Sequence, residues 1–344
     1  MPSLENRAIV AVAGAWKTQT VIDEALADPP RRVLITTYTT ENLRQIARRI
    51  EARIGVVPEN VHLTTWYTFL LKHGIRPYQQ SVLGDIGLVR GLNFEGQKQR
   101  FARKTERRYF LDGNHDVFRD GLADFAYVAN AKSGGAMIAR LETLYDQIYI
   151  DEVQDLVGYD LDVLDLLFAS MIRVTVVGDP RQHTLATSNV PKNKKYRGAG
   201  FSDWLDERSD ICVREDRLTS ARCNQSICDF ASNVFPDLPR LEAAEETTTG
   251  HDGVFFIKPF DVQEYYEEHQ PAVLRDRRTT DTFGLPAMNI GVAKGSTFDR
   301  VLIFPTSPMR RYLDDGDASK LRAPERLYVA VTRACHSVAF VLPG

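Results

Sequence analysis

The segment Gln147–Asp155, QIYIDEVQD, constrains the fold more than any other part of this chain. Its apolar run Ile148-Tyr149-Ile150 is too short for a helix and stops at acids, which reads as a buried strand. In open parallel α/β sheets, ligands gather at the carboxyl ends of the strands, and Asp151 and Glu152 stand at that end. Two adjacent carboxylates there suit a hydrated Mg2+ and an attacking water. Asp151 would hold the ion, and Glu152 would orient and deprotonate the water. A second strand, Val174–Val177, runs into Gly178-Asp179-Pro180-Arg181-Gln182. One acidic turn after a strand is commonplace; two strands with matched polar exits argue for a built site.

The chain begins with the same pattern. Ala8–Ala13 reads as a strand, followed by Gly14-Ala15-Trp16-Lys17-Thr18 and a helical periodicity (Val21, Ile22, Ala25, Leu26) that Pro29-Pro30 should stop. Strand, tight turn, Lys-Thr and helix is the order of a phosphate-binding loop. In such a loop Lys17 would neutralise β/γ oxygens and the Thr18 hydroxyl would reach Mg2+. Trp16 occupies the position of the glycine before the lysine, and Ala11 that of the first glycine. A side chain there costs about 1–2 kcal/mol if the backbone must be left-handed. A plain strand–turn–helix with an incidental Lys-Thr is the competing reading.

Two further strands repeat the theme. The run from Arg31 to Thr40 ends in Tyr38-Thr39-Thr40, and Val61–Leu63 leads into Thr64-Thr65-Trp66-Tyr67, each followed by a helical pattern. Strands alternating with helices predict a parallel sheet. Hydroxyls and aromatic rings at the exits suit phosphates and stacked bases; as isolated features they are helix caps and core rings.

Composition narrows the class. With 344 residues, 43% hydrophobic and 26% charged, the chain is long enough for two globular domains. A formal net charge of −3 means that any nucleic-acid contact must come from local patches. The four cysteines show neither a CxxC pair nor a zinc spacing, which suits reduced thiols. No secretory leader and no membrane-length apolar run is visible, so a cytoplasmic protein without membrane contact is expected.

In order and wording these segments resemble the UvrD/Rep-like DNA helicases of superfamily 1. AVAGAWKT is similar to their Walker A loop, IYIDEVQD to Walker B, and VVGDPRQ to the motif that couples the γ-phosphate to DNA through Gln182. LITTYTTENLRQIARRI and VHLTTWYTFLL resemble the segments that grip single-stranded DNA. LTSARCNQSICDFAS resembles the segment whose arginine, here Arg222, reaches the γ-phosphate. AKGSTFDRVLIFP and ERLYVAVTRA match the motifs around Lys294-Gly295 and Arg333.

The resemblance implies two RecA-like parallel-sheet domains with a small, mainly helical insert. The expected ranges are 1–76 with 145–205, the insert 77–144, and 206–344, with the crossover near Asp203–Asp210. It implies ATP held between the domains by Gly14, Ala15, Trp16, Lys17, Thr18, Asp151 and Gly295, with Thr18 and Asp151 on Mg2+. Glu152, Gln182, Arg222 and Arg333 would be catalytic, and Tyr38, Thr39, Thr65, Trp66 and Lys294 would lie on the DNA. The implied activity is an ATP-dependent translocase or helicase on single-stranded or partly duplex DNA. A weakly active or inactive ATPase serving as a DNA- or partner-binding module is the alternative, including an accessory subunit of a nuclease or anti-phage complex.

The departures fall on nucleotide grip rather than on the metal and water groups. They are Trp16 and Ala11, the lack of an upstream glutamine, Thr297 where a glutamate is usual, and Leu185 near the place of an expected aromatic. About fifty residues, Asp237 to Gly284, lie between the segment of Arg222 and that of Lys294-Gly295, too few for a second accessory domain. Basic runs at Lys98, Arg100, Arg103, Lys104, Arg107, Arg108 and at Lys192, Lys194, Lys195, Arg197 are solvated faces or backbone contacts to DNA.

Overall fold

Each expected strand forms, with its ends within two or three residues of the apolar run that predicted it. The computed structural model describes residues 6–27, 31–85, 88–99, 101–244 and 248–342; Arg100 and the Pro29-Pro30 stop lie outside them. The strands are β1 (Arg7–Ala11), β2 (Val33–Thr37), β3 (Val61–Thr65), β4 (Gln147–Asp151), β5 (Arg173–Gly178) and β6 (Val213–Arg217). They form one sheet in the order β3-β2-β4-β5-β1-β6. The pairs β2–β3, β2–β4, β4–β5 and β1–β5 are parallel, with Thr36 opposite Ile150 and Asp151 opposite Val177. The carboxyl ends of β4 and β5 therefore lie side by side.

Strand β6 has no apolar alternation: it is VREDR at the sheet edge, and only pairing with β1 makes it a strand. Helix Phe201–Asp206 covers the first part of the expected crossover region Asp203–Asp210, and its Trp204 is buried against Phe201 and Phe168.

The chain divides into two compact units: Met1–Val10, Lys17–Pro180 and Leu185–Glu215, then Ala11–Trp16, Arg181–Thr184 and Asp216–Gly344. In the first, helix Lys17–Ala27 follows β1 and buries Val21, Ile22 and Ala25. Helix Thr40–Ile54 follows β2; Thr39 caps its start and Gly55, at φ 86°, its end. The insert is mainly helical, with Leu122–Lys132 and Ala136–Leu144 as its longest pieces. Its Phe110 and Phe125 belong to the same apolar cluster as Trp66, Phe69, Ile148 and Ile150, so insert and sheet share a core.

The second unit has its own all-parallel sheet of β7 (Gly253–Ile257), β8 (Ala272–Arg275), β9 (Ala287–Asn289), β10 (Phe298–Phe304) and β11 (Ala334–Val341). The order is β7-β11-β10-β8-β9. The interval where a second accessory domain would sit is taken up by β7, β8, β9 and helix Val262–His269. Val273, Leu302 and Ala339 form part of this unit's core. Among the described residues no helix is long and apolar enough to cross a membrane.

Candidate phosphate and metal site

At the exit of β4, in the first unit, the Thr18 hydroxyl donates to Asp151 Oδ2 at 2.8 Å, joining residues 133 apart in the chain. Asp151 is only 3% exposed. Burial and the neighbouring Glu152 charge push its carboxyl up to about 6, against the pull of Thr18 and Lys17. A carboxylate so placed gains from a cation. A hydroxyl with one or two carboxylates is the donor set that Mg2+ accepts when phosphates and waters complete its shell. Among the described residues no cluster of three His, Cys, Asp or Glu side chains could hold a metal by itself. Lys17 opens helix Lys17–Ala27, so its amine and the helix's first N–H groups share one end.

Glu152 sits at φ 58°, ψ 39°, a left-handed conformation that a non-glycine residue adopts only when its surroundings impose it. Gln154, which the sequence reading passed over, helps to impose it. Its amide donates to Glu152 Oε2, and its Oε1 accepts the Asp179 N–H at 3.0 Å. One side chain thus ties the exit of β4 to that of β5. Gly178 leaves room for it, since a Cβ there would collide with Gln154 Oε1. The spacing of two residues from Glu152 was the one available signal.

The second unit holds the arginines. Arg333 is buried: Nε donates to Val329 O at 3.0 Å, and its terminal nitrogens reach Ser296 O at 3.3 Å and Gln182 Oε1 at 3.4 Å. Gln182, itself buried, is thereby brought to Arg333. Arg222 donates to Thr332 O at 2.9 Å, next to Arg333 in the chain. Gly295, at φ 89°, lies in the turn closed by Ser296 N–H on Ala293 O, and that turn carries the carbonyl that Arg333 uses. Half-buried Lys294 lies in the same turn.

The segment Ala11–Trp16 packs within this unit. Gly14, at φ 82°, lies so close to Ser220 and Arg222 that an added Cβ would stand 2.6 and 2.7 Å from their side-chain atoms. Ala15 donates its N–H to Val12 O at 3.2 Å. Trp16 is left-handed at φ 57° and 66% exposed, so the strain anticipated for a side chain at this position is present.

The residues expected along DNA divide. Thr39 and Thr65 are helix caps, accepting from Asn42 N at 3.1 Å and Thr68 N at 3.4 Å. Tyr38 is half-buried and meets Tyr67 edge to face at 5.5 Å. Trp66 is corrected outright. It is 0% exposed, stacked on Phe69, with its indole N–H on Asp160 at 2.6 Å, and has no face to offer a base.

The basic runs are largely spoken for. Lys98 and Lys104 both pair with buried Asp124, Lys98 lies 3.4 Å from the Tyr109 ring centroid, and Lys192 pairs with Asp162 at 2.8 Å. The four cysteines are free thiols. Burial pushes Cys212 and Cys228 up to about 12 and Cys223 to about 11, so these three are packing residues rather than nucleophiles.

No protein-family model and no curated protein matches the chain. Solved structures do. A crystal structure of arterivirus nonstructural protein 10 (helicase) matches at 17% identity and TM-score 0.50, over 98% of this chain and 60% of that one. The complex of the same arterivirus protein with DNA matches at 17% and 0.50, over 99% and 61%. The PRRSV helicase matches at 17% and 0.48, over 99% and 53%. The chain thus spans between 53% and 61% of the length of these proteins. At this identity the likeness is one of fold: α/β with parallel sheets, as in RecA-like helicase domains.

Proposed function

We propose that the chain is a nucleoside-triphosphate-driven motor on nucleic acid, of the superfamily 1 helicase type. ATP is its fuel and single-stranded or partly duplex DNA its track. The observation that carries this reading is the Thr18–Asp151 hydrogen bond at 2.8 Å beside Glu152, at the exit of a central parallel strand. A strand–turn–Lys-Thr helix and an Asp-Glu strand end, converging on one hydroxyl–carboxylate pair, have little use except phosphate and metal chemistry.

In this reading Lys17 neutralises the phosphate oxygens, and Thr18 with Asp151 would hold Mg2+. When bound, Mg2+ supplies charge neutralisation for the transferring phosphoryl group. Glu152, held by Gln154, takes the proton of the attacking water. Arg222 and Arg333 serve as the cations that stabilise the phosphoryl transition state, with Gln182 on Arg333 as the sensor of the γ-phosphate. Tyr38, Thr39, Thr65 and Lys294 are assigned to the DNA side. Gly14, Ala15, Trp16 and Gly295 line the nucleotide. The order of the sequence motifs is the ground for assigning the UvrD/Rep-like subtype.

ATP hydrolysis with and without single-stranded DNA tests this. The wild type should be stimulated by DNA, and Glu152→Gln should lose at least a hundredfold in kcat while still binding nucleotide. Equal turnover in that variant defeats the reading. A second reading, a binding module without turnover, is favoured by one observation: the strained, exposed indole of Trp16 where a phosphate loop needs bare backbone.

A further inference from the structure

With Trp66 buried, another ring must serve if bases stack on the first unit. Three rings run in series there. Tyr38, just past the end of β2, meets Tyr67 at 5.5 Å and 73°, and Tyr67 meets Phe94 at 5.6 Å and 65°. The two tyrosines are tethered: Tyr67 Oη donates to Thr187 O at 2.5 Å and Tyr38 Oη to Ala186 O at 3.4 Å. Phe94, from the insert, is the outermost ring, 54% exposed.

Its backbone is fixed as firmly as its side chain is open. Leu92–Asn93 pair in parallel with Val117–Phe118. Asn93 Oδ1 accepts from Glu95 N at 3.2 Å and Gly96 N at 2.6 Å, while its amide donates to Asp112 at 2.7 Å. The turn is therefore built before any ligand arrives, and binding would not bear the entropy of ordering it.

We infer that Phe94 is a base-stacking residue for single-stranded nucleic acid, its ring backed by buried Tyr67 and, behind that, Tyr38; the inference rests on the motor reading above. A single ring flanked by Asn93, Glu95 and Gly96 is the size of one base and too small for an apolar helix. Arg119 lines one small cavity with Tyr67 and pairs there with Asp120 at 3.3 Å. Stacking on a fixed ring is sequence-tolerant, as a motor's track requires.

The test is a fluorescence-anisotropy titration of the whole chain with a short labelled oligothymidylate and with the same oligomer made of abasic units. Phe94→Ala should weaken oligothymidylate binding about five- to a hundredfold and leave the abasic oligomer unchanged, and Phe94→Trp should restore it. If Phe94→Ala binds oligothymidylate within twofold of the wild type, the inference falls while the motor reading stands, and Phe94 belongs to a protein contact. If both oligomers weaken equally, the ring only shapes its turn and the inference falls. If the wild type binds neither oligomer, the motor reading fails and takes the inference with it.

Discussion

Replacing His73 with glutamine should change how the stability of the first unit depends on pH, in a direction the structure specifies. His73 is buried; Arg140 donates to its Nδ1 at 3.2 Å, and Nε2 faces the Tyr145 hydroxyl at 3.5 Å. The Tyr145 hydroxyl in turn lies 3.1 Å from His62 Nδ1. A proton on Nδ1 would point at a guanidinium. Burial first, then the charges of Arg140, Lys72 and His62, lower His73 from 6.5 to about 4. Between those values the unfolded chain binds the proton and the folded one does not, so stability is lost as pH falls from 6.5 to 4. At about 1.4 kcal/mol per unit the loss approaches roughly 3 kcal/mol.

Asp160 works the other way. It accepts from Trp66, Thr187 and Val157, and burial raises it from 3.8 to about 6 despite those bonds. Its contribution is complete below 3.8 and lost as pH rises to 6, again by about 3 kcal/mol. In the wild type the two slopes nearly cancel. In His73→Gln they do not: the variant should gain roughly 3 kcal/mol relative to the wild type between pH 7 and pH 4. Urea unfolding followed by the emission of Trp66 and Trp204, both fully buried in this unit, reads it directly. Variant and wild-type curves that stay parallel within about 1 kcal/mol would refute the reasoning.

Trp16→Gly should relieve about 1 kcal/mol of left-handed strain and raise affinity for a non-hydrolysable ATP analogue several-fold, measured by calorimetry; weaker binding would instead make the indole part of the nucleotide site. Gly14→Ala combines φ 82° with overlap on Ser220 and Arg222, and should cost about 2–4 kcal/mol in denaturant unfolding. Thr39→Ala should cost about 1 kcal/mol through the lost cap and Thr39→Ser only a few tenths, by the same measurement.

What was legible in the sequence is local. Runs such as Ile148–Ile150 and Val174–Val177 are strands because nothing else can bury them, and their polar exits share one end because parallel pairing puts them there. The pairing of Thr18 with Asp151 follows from that order, and so could be anticipated. Strand β6 could not, because VREDR becomes a strand only through the edge of β1. Nor could the fate of Trp66 and Phe94: both are aromatics among polar residues, and local pattern cannot say which has Asp160 waiting beneath it and which faces water.

Sequence order by itself determined the parallel α/β scheme and the polar strand exits that carry Thr18 and Asp151, since periodicity and strand exits are properties of a few neighbouring residues. Only the tertiary structure decided which rings are buried and which cations are already paired. Those depend on partners dozens to hundreds of residues away, brought close by packing that no window along the chain contains.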